Sequence, residues 1–121
     1  MKLYAIRGAT TAESDSIDAI RDAALELIQA VVSQNALTPD EAVSLIATQT
    51  CDLRAAYSVR FIRESRILGD MPVFSAQEPD VVGALPLCIR VLLHIRKDGE
   101  FTPQHVYLRK ARNLLEIKDN R

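Results

Sequence analysis

Two arginines interrupt apolar runs in this chain. Arg7 lies within Leu3-Tyr4-Ala5-Ile6-Arg7-Gly8-Ala9-Thr10-Thr11, and Arg90 within Leu87-Cys88-Ile89-Arg90-Val91-Leu92-Leu93. Both runs read as buried strands, and a guanidinium held there forfeits several kcal/mol of hydration unless an anion meets it. Such fixed cations suit a pocket for a polyanionic small molecule. The plainer alternative for each is an edge-strand arginine facing water or a structural carboxylate, and the residues alone leave both readings open.

Other side chains add to this inventory. Arg60 and Arg63 fall about one turn apart in a segment of helical spacing, where an arginine is ordinarily solvated. Glu78 precedes Pro79 in a loop, and Tyr107 stands between Val106 and Leu108, the setting of a core or interface aromatic. Ser75 has no neighbouring base that would make it a nucleophile. His94 and His105 form no ligand pattern with Cys51 and Cys88, so no metal is expected. No phosphate-binding glycine loop or dinucleotide fingerprint is present, so no cofactor is expected either. Several cations, one carboxylate and one phenol on an aliphatic scaffold fit electrostatic binding of a carboxylated metabolite.

Composition narrows the class. With 121 residues the chain reads as a single domain, 1–121, able to bury a modest core. The core must be aliphatic, because a hydrophobic fraction of 48% includes only three Phe, three Tyr and no Trp. Fifteen basic and sixteen acidic residues leave a net charge of −1, and no basic stripe interleaves with aromatics, which argues against nucleic acid. Two unclustered cysteines fit a reducing compartment. No signal-peptide core appears, and no stretch approaches the roughly 20 apolar residues of a membrane span, so a cytoplasmic location away from membranes is expected.

The elements that must position these residues follow from periodicity. Residues 2–9 form a first strand. A helix opens near Ser14-Asp15-Ser16 and runs to about Asn35, with Ile17, Ile20, Ala24, Leu27, Ile28 and Val31 on one stripe. Thr38-Pro39-Asp40-Glu41 has capping-box spacing and opens a short turn before a strand at 42–48. Residues 52–67 read as irregularly helical, with Ser58 as a cap. A short strand at 71–76 carries Pro72, which marks an end or an edge. The run 85–95 alternates Cys88, Arg90, Leu92 and His94 with Ile89, Val91, Leu93 and Ile95. Thr102-Pro103 suggests a helical turn, 105–108 a last strand, and 110–121 a loose tail. The class is α+β or mixed α/β: about five strands packed on one long helix. One helix leaves apolar sheet uncovered, which predicts an oligomer.

The order of five segments resembles the monofunctional chorismate mutases of the barrel-like class, distinct from the all-helical ones. These are Ala5-Ile6-Arg7-Gly8-Ala9-Thr10-Thr11, Phe61-Ile62-Arg63-Glu64, Gln77-Glu78-x-Asp80-Val81, Cys88-Ile89-Arg90-Val91 and His105-Val106-Tyr107-Leu108, spanning roughly residues 3–110. The resemblance implies a homotrimer with a pseudo-α/β-barrel core, active sites in clefts between subunits, and conversion of chorismate to prephenate on the route to phenylalanine and tyrosine. It implies that Arg90 faces the ether oxygen, that Arg7 and Tyr107 bind carboxylate, and that Glu78 accepts from the ring hydroxyl with Ser75 nearby. Tyr57, Arg60, Arg63, Val73 and Phe74 match lining or entrance positions, with Arg63 a further carboxylate partner.

Two departures accompany the match. The family's tail usually places an arginine after a leucine where this chain has Leu115, with Arg112 as a substitute, and Phe74 is bulkier than the usual small residue. Two rival readings are a trimeric imine deaminase of similar architecture, against which Gln77-Glu78 followed by Cys88-Ile89-Arg90 speaks, and a non-catalytic trimer that binds a carboxylated metabolite.

Overall fold

The 3.6-residue stripe read from the sequence becomes a helix anchored at Ser16, whose Oγ accepts from the Ala19 N–H at 3.1 Å. The computed structural model describes residues 1–114. Along the chain run β1 (Lys2–Thr11), α1 (Ile17–Gln34), β2 (Ala42–Gln49), α2 (Ser58–Ser65), β3 (Val73–Gln77), β4 (Cys88–Lys97) and β5 (Val106–Tyr107). Short 3₁₀ turns at Pro39–Glu41 and Arg109–Arg112 precede β2 and follow β5. The first of these is the expected capping turn, with the Thr38 N–H donating to Glu41 Oε1 at 2.9 Å.

One mixed sheet has the order β3-β2-β4-β1-β5. β4 runs antiparallel to both neighbours, while β2–β3 and β1–β5 pair in parallel. The edge position of β3 matches the Pro72 signal. α1 connects β1 to β2, and α2 connects β2 to β3. Their apolar sides share one face of the sheet: Leu27, Ile28 and Val31 of α1 and Val59 and Ile62 of α2 bury Ile6, Leu45, Val91, Leu93 and Ile95. Gly8 permits this close approach. A Cβ there would meet Val91 Cγ2 at 3.0 Å and Leu27 Cδ1 at 3.2 Å, tighter than packed side chains accept.

The period-two alternation assigns the opposite face to Leu3, Ala5, Arg7 and Ala9 of β1, Arg90, Leu92 and His94 of β4, Ile46 and Thr48 of β2, and Phe74 of β3. No described element covers this face, and Leu3, Ile46 and Phe74 are exposed on it.

Several boundaries differ from expectation. β1 continues to Thr11, and β4 begins at Cys88 because Pro86 and Leu87 lie in a turn. Ser58 is the first residue of α2 and Tyr57 its cap; the Ser58 N–H is taken at 2.8 Å by Gln49 Oε1, a cap delivered from a distant strand. The helical turn at Thr102-Pro103 does not form. Asn35 instead pins that segment extended, donating to the Gln104 carbonyl at 2.9 Å and accepting from the Gln104 N–H at 2.8 Å. Ile17 is half exposed, so the stripe of α1 closes only from Ile20 onward. The tail is not loose from residue 110: Arg109–Arg112 form a 3₁₀ turn with Ala111 fully buried. No helix among the described residues is long and apolar enough to cross a membrane.

Candidate active site

Arg7 and Arg90 occupy adjacent strands on the uncovered face, where Arg7 pairs with Leu92 and Ala9 with Arg90. Tyr107 of β5 sits opposite Ala9. The three side chains line one cavity of about 500 Å³, whose wall is completed by residues 81–85 and by Asn113 and Leu114. Neither arginine is buried in the single chain, contrary to the reading of their apolar runs; the Arg90 side chain is 44% exposed. The runs are apolar on both faces, and the helices cover only one of them.

β5 is only two residues long, so the backbone must fix it. The Leu108 N–H donates to the Ala9 carbonyl at 2.9 Å, and the Arg7 N–H donates to His105 Nδ1 at 3.0 Å. These bonds bracket Tyr107 and hold it beside Arg7. Burial, then the nearby Arg7 charge, lowers the His105 pKa from its usual 6.5, which leaves Nδ1 free to accept at neutral pH. The folded value is depressed, so this contribution is complete above the ordinary histidine range and is lost as pH falls through the lowered value.

On the other side of Arg90 stands Glu78, just past β3. Arg90 Nε lies 3.3 Å from Glu78 Oε1, with the glutamate side chain only 18% exposed. Thr48, on β2 between them, donates its hydroxyl to the same oxygen. Arg7, Arg90, Tyr107 and Glu78 therefore gather toward one end of the sheet, where β1, β2 and β3 finish, the end at which open α/β sheets bind ligands. Burial pushes the Cys88 thiol up despite the neighbouring Arg90, so it serves as a neutral filler behind the cation.

The family model for chorismate mutase type I matches residues 3–116. The chain belongs to the chorismate mutase type I family. It is 35% identical over 115 residues to the chorismate mutase AroH of Bacillus subtilis, covering 92% of this chain and 88% of that protein. It is 39% identical over 111 residues to the chorismate mutase AroH of Thermus thermophilus, covering 88% of each. Its fold superposes on a chorismate mutase from Clostridium thermocellum with a TM-score of 0.85 at 34% identity, covering 91% of this chain and 98% of that one.

The other positions drawn from the family resemblance lie apart from this cluster. Tyr57 is 68% exposed at the start of α2 and lines a second cavity with Ser75, Cys51 and Gln77. Ser75 aligns with Ala47, on the helix-covered side of the sheet, and Val73 likewise with Leu45. Phe74, on the open face, is 67% exposed. Arg60 pairs with Glu64 at 2.9 Å on the exposed side of α2, solvated as a helical arginine ordinarily is. Arg63 is exposed on the same helix and makes no ion pair among the described residues. Within one chain the four-residue cluster and the α2 group are two separate surfaces. Leu115 lies outside the described residues, and Arg112 is exposed in the last 3₁₀ turn. Residues 81–85, Asn113 and Thr48 were not singled out from the sequence. Only Thr48 carried a signal, as a polar residue on the same strand face as Ile46.

Proposed function

We propose that Arg90, Arg7, Tyr107 and Glu78 form the catalytic cluster of this chorismate mutase, which converts chorismate to prephenate. The observation that carries the assignment is the shared cavity of two arginines and a tyrosine, with Glu78 tied to Arg90. The reaction is a pericyclic shift: the enolpyruvyl C–O bond breaks as a C–C bond forms, with no nucleophile, metal or base. Two tasks remain for the protein. It holds the diaxial conformer in which the reacting carbons meet, and it stabilises the negative charge growing on the ether oxygen.

Arg7 and Tyr107 bind a substrate carboxylate and fix the ring. Arg90 turns its terminal nitrogens toward the ether oxygen while Nε keeps its contact with Glu78. Glu78 accepts from the ring hydroxyl and faces the developing positive character of the ring. A guanidinium charged at every working pH serves the ether oxygen better than a neutral donor.

The same reading makes the enzyme a homotrimer. The open face with Leu3, Ile46 and Phe74 packs against its equivalents, and the α2 surface with Tyr57 and Arg63 completes a neighbour's site. Two half-sites separated on one chain, one on a bare apolar face, support this arrangement.

Incubating the purified chain with chorismate and following the loss of its absorbance tests the assignment. Catalysed loss with prephenate as sole product is expected, at a rate nearly flat across neutral pH, because the rearrangement uses no general acid or base. A bell-shaped profile of the chemical step centred near neutrality contradicts the mechanism.

A further inference from the structure

Glu78 must present one carboxylate oxygen to the substrate, yet it has a flexible side chain and stands just beyond an edge strand. Two consecutive residues of β2 fix it. The Glu78 N–H donates to the Gln49 carbonyl at 3.1 Å, and Glu78 Oε1 accepts from Thr48 Oγ1. A carboxylate only accepts, so the Thr48 hydroxyl proton is committed to Glu78. Thr48 aligns with Arg90 on one side and Ala76 on the other, and its β-branched side chain has a stiff χ1 in the strand.

We infer that Thr48 is a positioning residue for the rearrangement: its hydroxyl clamps Glu78 Oε1 and leaves Oε2 directed at the substrate hydroxyl. This rests on the assignment of Glu78 to the site. Arg90 Nε lies 3.3 Å from the same Oε1, but that guanidinium is shared with the ether oxygen of chorismate. Thr48 is the partner whose hydroxyl proton serves Glu78 alone. Without it, only a contact from a cation shared with the substrate is left to fix the carboxylate.

The test uses Thr48→Val, which keeps shape and removes the hydroxyl, and Thr48→Ser, which keeps the hydroxyl. Thr48→Ala serves if the valine disturbs the strand. Removing the hydroxyl is expected to lower kcat roughly ten- to a hundredfold, the range for a hydrogen bond to a charged group, with KM little changed. Thr48→Ser restores activity to within a few-fold, and in a Glu78→Ala background, which removes the acceptor, Thr48→Val has almost no further effect. The inference is overturned if Thr48→Val keeps parental kcat while Glu78→Gln does not. It is equally overturned if the valine's loss persists undiminished in the Glu78→Ala background, which marks a structural role. If Glu78→Gln itself turns over normally, the assignment of Glu78 fails first and Thr48 falls with it.

Discussion

Arg90→Lys is expected to lower turnover of chorismate by more than about a hundredfold while the fold stays intact. In the free enzyme Arg90 Nε lies 3.3 Å from Glu78 Oε1. A planar fork can hold Glu78 with one edge and serve the ether oxygen with the other; a lysine ammonium has a single nitrogen for both. Losing a preset donor at a developing oxyanion typically costs about 3–4 kcal/mol, a few hundredfold in rate. Stability is a different matter. The Arg90 side chain is 44% exposed in the single chain, so its ion pair contributes little, about 0–1 kcal/mol. Steady-state kinetics beside a thermal melt separate the two effects. A lysine variant with kcat within tenfold of the parent refutes the role assigned to Arg90.

A comparable loss is expected far from any reacting atom. Ile46 projects from β2 onto the open face, opposite Leu92, and is 37% exposed in the single chain. Ile46→Glu does no harm to a monomer, since the carboxylate stays in water. In a trimer it buries a charge against apolar neighbours, at a cost of several kcal/mol per subunit. The variant is expected to run as a folded species of 13.4 kDa, and the parent, as the proposed trimer, at three times that mass. Turnover should fall by at least about a hundredfold, because each site loses the α2 surface of its neighbour. Light scattering and the chorismate assay on the same samples provide the check. A monomeric variant that keeps full activity disproves the shared site, and a trimeric one disproves the packing face.

Which parts were legible in the sequence follows from the range of the forces involved. α1 announced itself because its stripe, its Ser16 cap and its first-turn acid Asp18 agree within a few residues. The alternation of β4 was equally plain, and it put Arg90, Leu92 and His94 on one face correctly. What that pattern did not say was which face had a cover. Both sides of β4 are apolar, so the arginines read as buried when they are open in the single chain. Long-range hydrogen bonds hid the rest. Gln49 caps α2 from β2, and Asn35 holds Gln104 extended across 69 residues of sequence, overriding the local signals of Ser58 and Thr102-Pro103. In the candidate site, Arg7, Arg90 and Tyr107 did converge, with Glu78 attached. Thr48 escaped notice because its role depends on strand pairing and on a loop carboxylate 30 residues away.

The most direct measurement is a crystal structure of the enzyme with a rigid oxa-bridged bicyclic dicarboxylate that mimics the cyclic transition state and retains the ring hydroxyl. The Arg90 terminal nitrogens should lie within about 3 Å of the bridging oxygen. Arg7 and Tyr107 should meet one carboxylate, Glu78 Oε2 should meet the hydroxyl, and Oε1 should still be held by Thr48. A ligand seated elsewhere, or an Arg90 turned away from that oxygen, would contradict electrostatic catalysis at this site.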